Sequence, residues 1–249
     1  MEDISVVIPL GPNPCYLEWL PECLASVLNQ TYLPSEIVII DDGANLSIEY
    51  LCNLLRTLVY FHAIESFTDY FTLVLQGSNK TILVKLYKTL WNVGVPDAFN
   101  FGISLASNEL VFMLGSDDKL MPTCLEECVK TWEANNKKDA WYSVTIEYQN
   151  GQLQWLPCNA SMTSKTLWKW LGGFPPSAGV GGCDAILLSI LMRHAPDRIV
   201  YVKQGTPLCW LREHEHQDTK HNAWQFPNEI VSIRNIETAR WKPREVTIK

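Results

Sequence analysis

Long apolar runs are missing from this chain of 249 residues: stretches such as Ala185 to Met192 fall far short of the ~20 residues a bilayer-spanning helix needs. No basic segment followed by an apolar one opens the chain, so the expectation is no signal peptide, no integral membrane segment and a cytoplasmic, soluble protein. Basic charge is scarce too. Twenty Lys and Arg stand against 27 Asp and Glu, for a net charge of -7. That balance supplies no general attraction to phosphate backbones or anionic lipid and disfavours nucleic acid as a partner. Lys137 and Lys138 could form a local basic patch, although such a pair is more often solvated surface. Zinc-type spacing is absent as well. The eight cysteines are scattered, Cys124 and Cys128 share a helix face, and no second Cys or His pair follows at ligand distance, so reduced buried thiols are expected. No internal repeat and no low-complexity tract is present.

What is present is a globular composition, 47% hydrophobic and 19% charged, long enough for one domain with a decorated tail. Ten tryptophans include Trp155, Trp168 and Trp170, whose indole faces could line a sugar groove, though core packing is the commoner use.

Ile4 to Leu10 is a β-branched apolar run ended by Gly11 and Pro12, the pattern of a buried strand meeting a loop. Leu17, Leu20, Leu24 and Leu28 recur at helical spacing. Glu36 to Ile40 is a second strand, stopping at Asp41, Asp42 and Gly43, and Leu46 to Leu58 is helical again. This β-α-β-α grammar predicts a mainly parallel sheet between helices. Val59 to Lys80 reads as an insertion with a strand at Phe71 to Leu75 and a turn at Gly77, Ser78 and Asn79. Thr81 to Tyr87 is a strand, Asp97 to Ala106 a helix, and Glu109 to Leu114 a buried strand running into Ser116, Asp117 and Asp118. A helix to about Asn135 follows, then strands at Ala140 to Tyr148 and Gln152 to Leu156 around an Asn150-Gly151 turn, and a short helix from Ser164 to Trp170. Gly172 to Gly182 holds five glycines and two prolines and must be a loop, delivering Cys183 and Asp184 to a helix from Ala185 to His194. A strand at Ile199 to Val202 precedes the polar run Arg212 to His221.

In open α/β sheets ligands sit beyond the carboxyl ends of the strands. Asp41, Asp42, Asp117 and Asp118 are thereby brought to one rim, where their repulsion needs an offset. A divalent cation, Mg²⁺ or Mn²⁺, suits hard oxygen ligands and commonly pairs one or two carboxylates with substrate phosphates. Each Asp pair taken alone would be read as a turn or a cap.

The strings SVVIPLGPN, LASVLNQTYLPSEIVIIDDGAN, WNVGVPDAFNFGISLASNELVFMLGSDD and WLGGFPPSAGVGGCDAILL, in that order, resemble family 2 inverting glycosyltransferases of the GT-A fold over about residues 4 to 195. The resemblance implies one GT-A domain, its nucleotide-sugar-binding half at about 1–118 and its acceptor half and tail at about 119–249. It implies a UDP-, GDP- or dTDP-linked sugar donor and a glycan or other hydroxyl acceptor. Pro9, Leu10 and Gly11 would lie beside the nucleotide, Asp42 would meet the nucleobase with Asp41 next to it, and Asn92, Gly94 and Asn100 match further nucleotide-side positions. Asp118 matches the last metal-binding Asp, with Asp117 beside it, and His214 or His216 would complete the metal site or touch the diphosphate. Asp184 falls at the position of the catalytic base, which deprotonates the attacking hydroxyl in an inverting transfer.

Three positions depart from the family pattern. Ser116 stands where an Asp is usual, Cys183 where a Glu precedes the base, and Phe99 where an Arg precedes the Asn, which leaves Lys85 or Lys88 as candidate phosphate contacts. These departures keep a second reading open, a catalytically inactive sugar-nucleotide or glycan-binding module. A nucleotidyltransferase fits less well, because GPNPCY lacks the basic residues its first loop would carry.

Overall fold

The computed structural model describes residues 2–58, 61–66, 70–75, 81–154, 160–174 and 183–216, with 61–66 and 70–75 described by backbone only. The first half contains β1 (Ile4–Leu10), α1 (Pro14–Leu28), β2 (Glu36–Asp41), α2 (Ile48–Leu58), β3 (Phe61–Ser66), β4 (Tyr70–Leu75), β5 (Thr81–Lys88), α3 (Val95–Leu105), β6 (Leu110–Met113) and β7 (Lys119–Leu120). The second contains α4 (Cys124–Ala134), β8 (Trp141–Tyr148), β9 (Leu153–Gln154), β10 (Ser161–Ser164), α5 (Lys165–Leu171), α6 (Cys183–His194) and β11 (Ile199–Leu211). No helix among the described residues is long and apolar enough to cross a membrane.

One sheet runs in the order β3-β4-β5-β2-β1-β6-β10-β8-β11-β7, with β9 paired to β8. Its centre, β5-β2-β1-β6, is parallel, as the alternation of strands and helices requires. Antiparallel strands extend it on both sides. Because residues alternate faces along a strand, β1 serves two cores at once. Ile4, Val6 and Ile8 pack with Leu20, Leu24, Leu51 and Leu125 of α1, α2 and α4. Val7 packs with Phe99 and Ile103 of α3, Leu167 of α5 and Ile190 of α6. Helices on both faces leave β1 and β2 buried throughout, which is why both are largely apolar, with Ser5 inside β1 and Glu36 and Asp41 at the ends of β2.

Gly102 lets α3 lie close on the sheet: a Cβ there would stand 2.4 Å from Val7 Cγ1 and 3.0 Å from Ile40 Cγ1. That closeness brings the first turn of α3 to the carboxyl rim. At the opposite, amino edge, the buried Glu36 carboxylate is met by Lys85 Nζ (2.5 Å), Ser5 Oγ and both the amide and the hydroxyl of Ser107. Lys85 is therefore committed to the far edge and does not serve the phosphate side, whereas Lys88 Nζ lies at the carboxyl rim, 3.7 Å from Asp41 Oδ2. Lys137 and Lys138 pair with Glu2 and Asp197.

Several elements differ from the sequence expectation. The segment expected as an insertion joins the sheet: the strand expected at Phe71 to Leu75 is β4, an unexpected β3 pairs outside it, and the turn expected at Gly77 to Asn79 lies outside the described residues. The strand expected at Ile199 to Val202 continues to Leu211, its register shifted around Pro207. Helix α6 begins at Cys183, which puts Asp184 inside its first turn and not at a cap before Ala185. Trp168 is buried, stacked on Trp141 at 6.2 Å and set edge-on to Phe174, so it packs the core. Trp155, Cys158 and His221 lie outside the described residues, as do residues 175–182.

Candidate active site

Parallel pairing of β2, β1 and β6 puts the segments after them on one rim. The first two loops meet at Gly43, which adopts φ +100; a Cβ there would lie 3.4 Å from Pro12 Cβ and 3.9 Å from Asn92 Cβ. Three loops, from β1, β2 and β5, thus touch one another at this point.

The two Asp residues ending β2 organise that contact. Asp41, buried, accepts the amides of Asn45 (3.0 Å) and Leu46 (2.7 Å) and so folds its own turn. Asp42 donates its amide to Leu10 O, while its carboxylate accepts Val93 N (2.7 Å), Gly94 N (2.9 Å) and Thr89 Oγ1 (2.8 Å). Asn92 Nδ2 closes the loop onto Asp42 O at 3.1 Å. Gly94, at φ +86, caps α3 without a side chain of its own, so the Asp42 carboxylate satisfies its amide. The Leu10 side chain is in the core, and Pro9 is buried beside it. Of the β1 end, Gly11 is the more open residue.

Beyond β6 the chain turns tightly, Asp118 N donating to Gly115 O. Both carboxylates fold back over Gly115: a Cβ there would stand 2.7 Å from Asp117 Oδ1 and 2.7 Å from Asp118 Oδ2. Burial first, and the neighbouring Asp117 charge second, push the Asp118 carboxyl well above the ordinary range, against the lowering pull of the Arg212 amide and charge. Directly behind, the buried Cys23 thiol donates to Gly115 O and is likewise pushed up, by burial and then by the two Asp charges.

Strand β11 supplies the other wall. Its pairing with β7 sets Trp210 opposite Lys119, so the chain leaves the sheet beside Asp118. Arg212 then donates its amide to Asp118 Oδ1 (3.1 Å), Nε to Asp117 O (3.2 Å) and Nη2 to Glu22 (2.9 Å), with its guanidinium over Trp19 and Trp210. His214 Nε2 lies 2.9 Å from Asp117 Oδ2, its ring 4.4 Å from that of Trp19 and edge-on to Tyr16. His214 Nδ1 is buried without a hydrogen-bond partner among the described residues. His216 is more open, and its carbonyl accepts Tyr16 Oη.

Asp117, Asp118 and His214 are brought together; Asp42 stands with the β5–α3 loop; Asp184 is partly exposed on the first turn of α6. Asn100 is engaged elsewhere, both ends of its carboxamide on the Phe174 backbone. Tyr16, Trp19, Glu22 and Thr89 complete the site, and sequence reasoning gave them no role. Tyr16 and Trp19 share a helix face at a spacing of three, a signal that locates a face without saying what it meets.

Among the described residues no three His, Cys, Asp or Glu side chains form a ready-made metal cage. The donor set instead matches cations that take one or two carboxylates and complete their shell with water and phosphate oxygens. Two carboxylate oxygens converge over a glycine, one of them on a half-buried group repelled by its neighbour, and a histidine paired to that neighbour stands alongside. Asp117 and Asp118 are the residues that could take Mg²⁺ or Mn²⁺ there, with His214 paired to Asp117 beside them.

A family model described as glycosyl transferase family 2 matches residues 5–57 and 66–186, more than half of the chain. The chain belongs to glycosyl transferase family 2. An uncharacterized glycosyltransferase of Haemophilus influenzae is 30% identical over 125 residues, 50% of this chain and 40% of that protein. Glycosyltransferase GlyG of Streptococcus pneumoniae is 30% identical over 125 residues, 50% of this chain and 33% of its own length. The match thus spans less than half of these relatives. Among solved structures, S. aureus TarS 1-349 in complex with UDP-GlcNAc superposes with a TM-score of 0.67 at 15% identity, covering 94% of this chain and 66% of that one. TarS 1-349 has also been solved with UDP, at a TM-score of 0.64. The shared fold is GT-A, an α/β sheet flanked by helices.

Proposed function

We propose that this family 2 chain is a metal-dependent, inverting glycosyltransferase that moves a sugar from a nucleoside-diphosphate donor to an acceptor hydroxyl. The observation that carries the reading is the convergence of Asp117 and Asp118 over Gly115, with His214 paired to Asp117, on the rim where Asp42 shapes the β5–α3 loop. A UDP-linked donor is the first to test, given the UDP and UDP-GlcNAc complexes of TarS, with GDP- and dTDP-linked sugars as alternatives.

In this reading the chain's residues divide the work. The loops of Gly11, Gly43 and Asn92 receive the nucleotide, with the loop from Thr89 to Gly94 kept in shape by Asp42. Asp118, with Asp117, would bind the cation, and Arg212 holds the two from behind through its amide and Nε. His214 would orient Asp117 through its Nε2. Asp184 would take the proton from the acceptor hydroxyl as that oxygen attacks the anomeric carbon opposite the leaving diphosphate. When bound, the cation supplies Lewis-acid stabilisation of the charge that develops on the leaving group.

One observation favours a second reading, an inactive sugar-nucleotide or glycan binder. Phe99, at the family's Arg position, is buried in the core against Phe174, so no cation extends from there. The experiment that separates the readings is release of UDP from UDP-GlcNAc with and without Mn²⁺, run beside a thermal-shift screen of UDP, GDP and dTDP. Ligand that binds the native state raises stability by mass action. Mn²⁺-dependent release supports the enzyme; stabilisation by nucleotide with no release supports the binder; neither effect defeats both.

A further inference from the structure

We propose that Asn100 is a positioning residue for the acceptor side of the site, not a contact to the donor nucleotide. The inference rests on the sugar-transfer reading and deepens it.

Asn100 lies on α3, and its carboxamide pairs with one residue from both ends: Oδ1 accepts Phe174 N at 2.8 Å and Nδ2 donates to Phe174 O at 2.9 Å. A neighbouring strand would make the same reciprocal pair. Of the two glycines before Phe174, the second is explained by it. Gly172 ends α5 in the left-handed region at φ +83, and Gly173 follows at φ +79. At Gly173 a Cβ would stand 2.4 Å from Asn100 Oδ1 and 3.3 Å from Trp168 Nε1. Only a residue without a side chain allows the backbone so close to Asn100.

Phe174 is held a second time through its ring, which lies 5.9 Å from that of Phe99 and 4.8 Å from that of Trp168. Consecutive residues of α3 thus grip one residue by ring and by backbone. Cys183, Ile186, Leu187 and Ile190 of α6 belong to the same buried cluster as Phe99 and Phe174. Asp184, on the first turn of α6, is therefore carried by a helix packed on the platform that Asn100 fastens. The other end of α3 is fastened by Asp42 through Gly94. Helix α3 links the nucleotide-side loop to the helix bearing the proposed base, and Asn100 is its polar attachment on the acceptor side. With both functional ends of the amide engaged, its loss should change turnover more than donor affinity.

The test compares the parent with Asn100→Ala and Asn100→Asp, using Mn²⁺-dependent UDP release from UDP-GlcNAc and hydrogen exchange of segments 165–174 and 183–194. The expected result for Asn100→Ala is a KM within about twofold of the parent, a kcat lowered at least tenfold, and faster exchange in both segments. Asn100→Asp keeps an acceptor for Phe174 N but sets a carboxylate oxygen against Phe174 O, so it should lower kcat as well; if the alanine variant does not fold, the aspartate variant must still show the KM-against-kcat split. A KM raised tenfold at unchanged kcat would make Asn100 a donor contact and overturn the inference, as would parent-like kinetics. A parent that releases no UDP and is stabilised by none of UDP, GDP and dTDP defeats the sugar-transfer reading instead. The positioning claim is then judged by exchange: acceleration at 183–194 in Asn100→Ala supports it, and unchanged exchange overturns it.

Discussion

The main-chain amide of Arg212 donates to Asp118 Oδ1 at 3.1 Å, so the strand that ends at Leu211 holds one oxygen of a half-buried carboxylate and leaves the other over Gly115. Because the donor is backbone, this hold persists whatever side chain stands at 212. Asp118 itself is then the sensitive position. Asp118→Ala should abolish Mn²⁺-dependent UDP release, a loss beyond the ~10–100-fold typical of outer-shell partners of a metal. The Mn²⁺-dependent part of the nucleotide thermal shift should vanish with it. Undiminished metal-dependent release from this variant would remove Asp118 from the proposed site.

Gly115 gives a second test of the same geometry without touching a carboxylate. Its alanine variant must displace Asp117 Oδ1 and Asp118 Oδ2, each 2.7 Å from the new carbon. Mn²⁺ affinity should fall by about tenfold, in the range for disturbing groups that orient metal ligands, while nucleotide binding without metal stays near the parent's. Calorimetric titration of Mn²⁺ with UDP present reads this directly, and an unchanged affinity would show that the cradle over Gly115 does not set the ligands.

Much of this arrangement was legible in the sequence, for a physical reason. Strands buried on both faces are apolar at nearly every position, so Ile4–Leu10, with Ser5 its polar exception, and Leu110–Met113 declare themselves and point to the polar residues at their ends. Strand β10, Ser161–Ser164, carries a single apolar residue and is held by pairing to β6 and β8, which no local pattern announces. Strand β7 is two residues long, and only its pairing with β11 brings Arg212 and His214 to the Asp pair. The roles read for Asp42 and Asn100 rested on resemblance. Their partners, Val93 and Gly94 in one case and Phe174 74 residues away in the other, are tertiary facts.

The amino edge of the sheet should show in acid. Burial raises the proton affinity of Glu36, but hydrogen bonds from Lys85, Ser5 and Ser107 outweigh it and hold the carboxyl below its ordinary value. A depressed carboxylate contributes stability above its unfolded pKa, about 4.3, and loses that contribution as pH falls through the folded value. Lys85→Met leaves Glu36 buried without its cation, which at pH 7 should cost about 3–5 kcal/mol. In acid Glu36 can take a proton, so the gap between parent and variant should narrow below about pH 4. Urea unfolding at pH 7 and pH 3.5 measures both points; a gap independent of pH would mean that the pair does not control this edge.

Asp42 separates two ways in which one carboxylate could serve a nucleotide. Its Oδ1 accepts Val93 N and Thr89 Oγ1, and its Oδ2 accepts Gly94 N. In Asp42→Asn one of those positions becomes an NH₂ group, which faces a donor instead of accepting from it. An amide left without its acceptor costs about 1–3 kcal/mol, and the amide of Gly94, at the start of α3, has no side-chain cap to turn to. The loop from Thr89 to Gly94 should loosen, and binding should weaken for UDP and GDP alike, because what is lost is the shape of the loop and not a base-specific hydrogen bond. Thr89→Val removes one of the same contacts and should move both affinities in the same direction by less. If Asp42→Asn weakens UDP alone, or reverses a preference between UDP and GDP, the carboxylate reads the base directly and the loop contacts are secondary. Dissociation constants for the two nucleotides, with Mn²⁺ held fixed, decide between these outcomes.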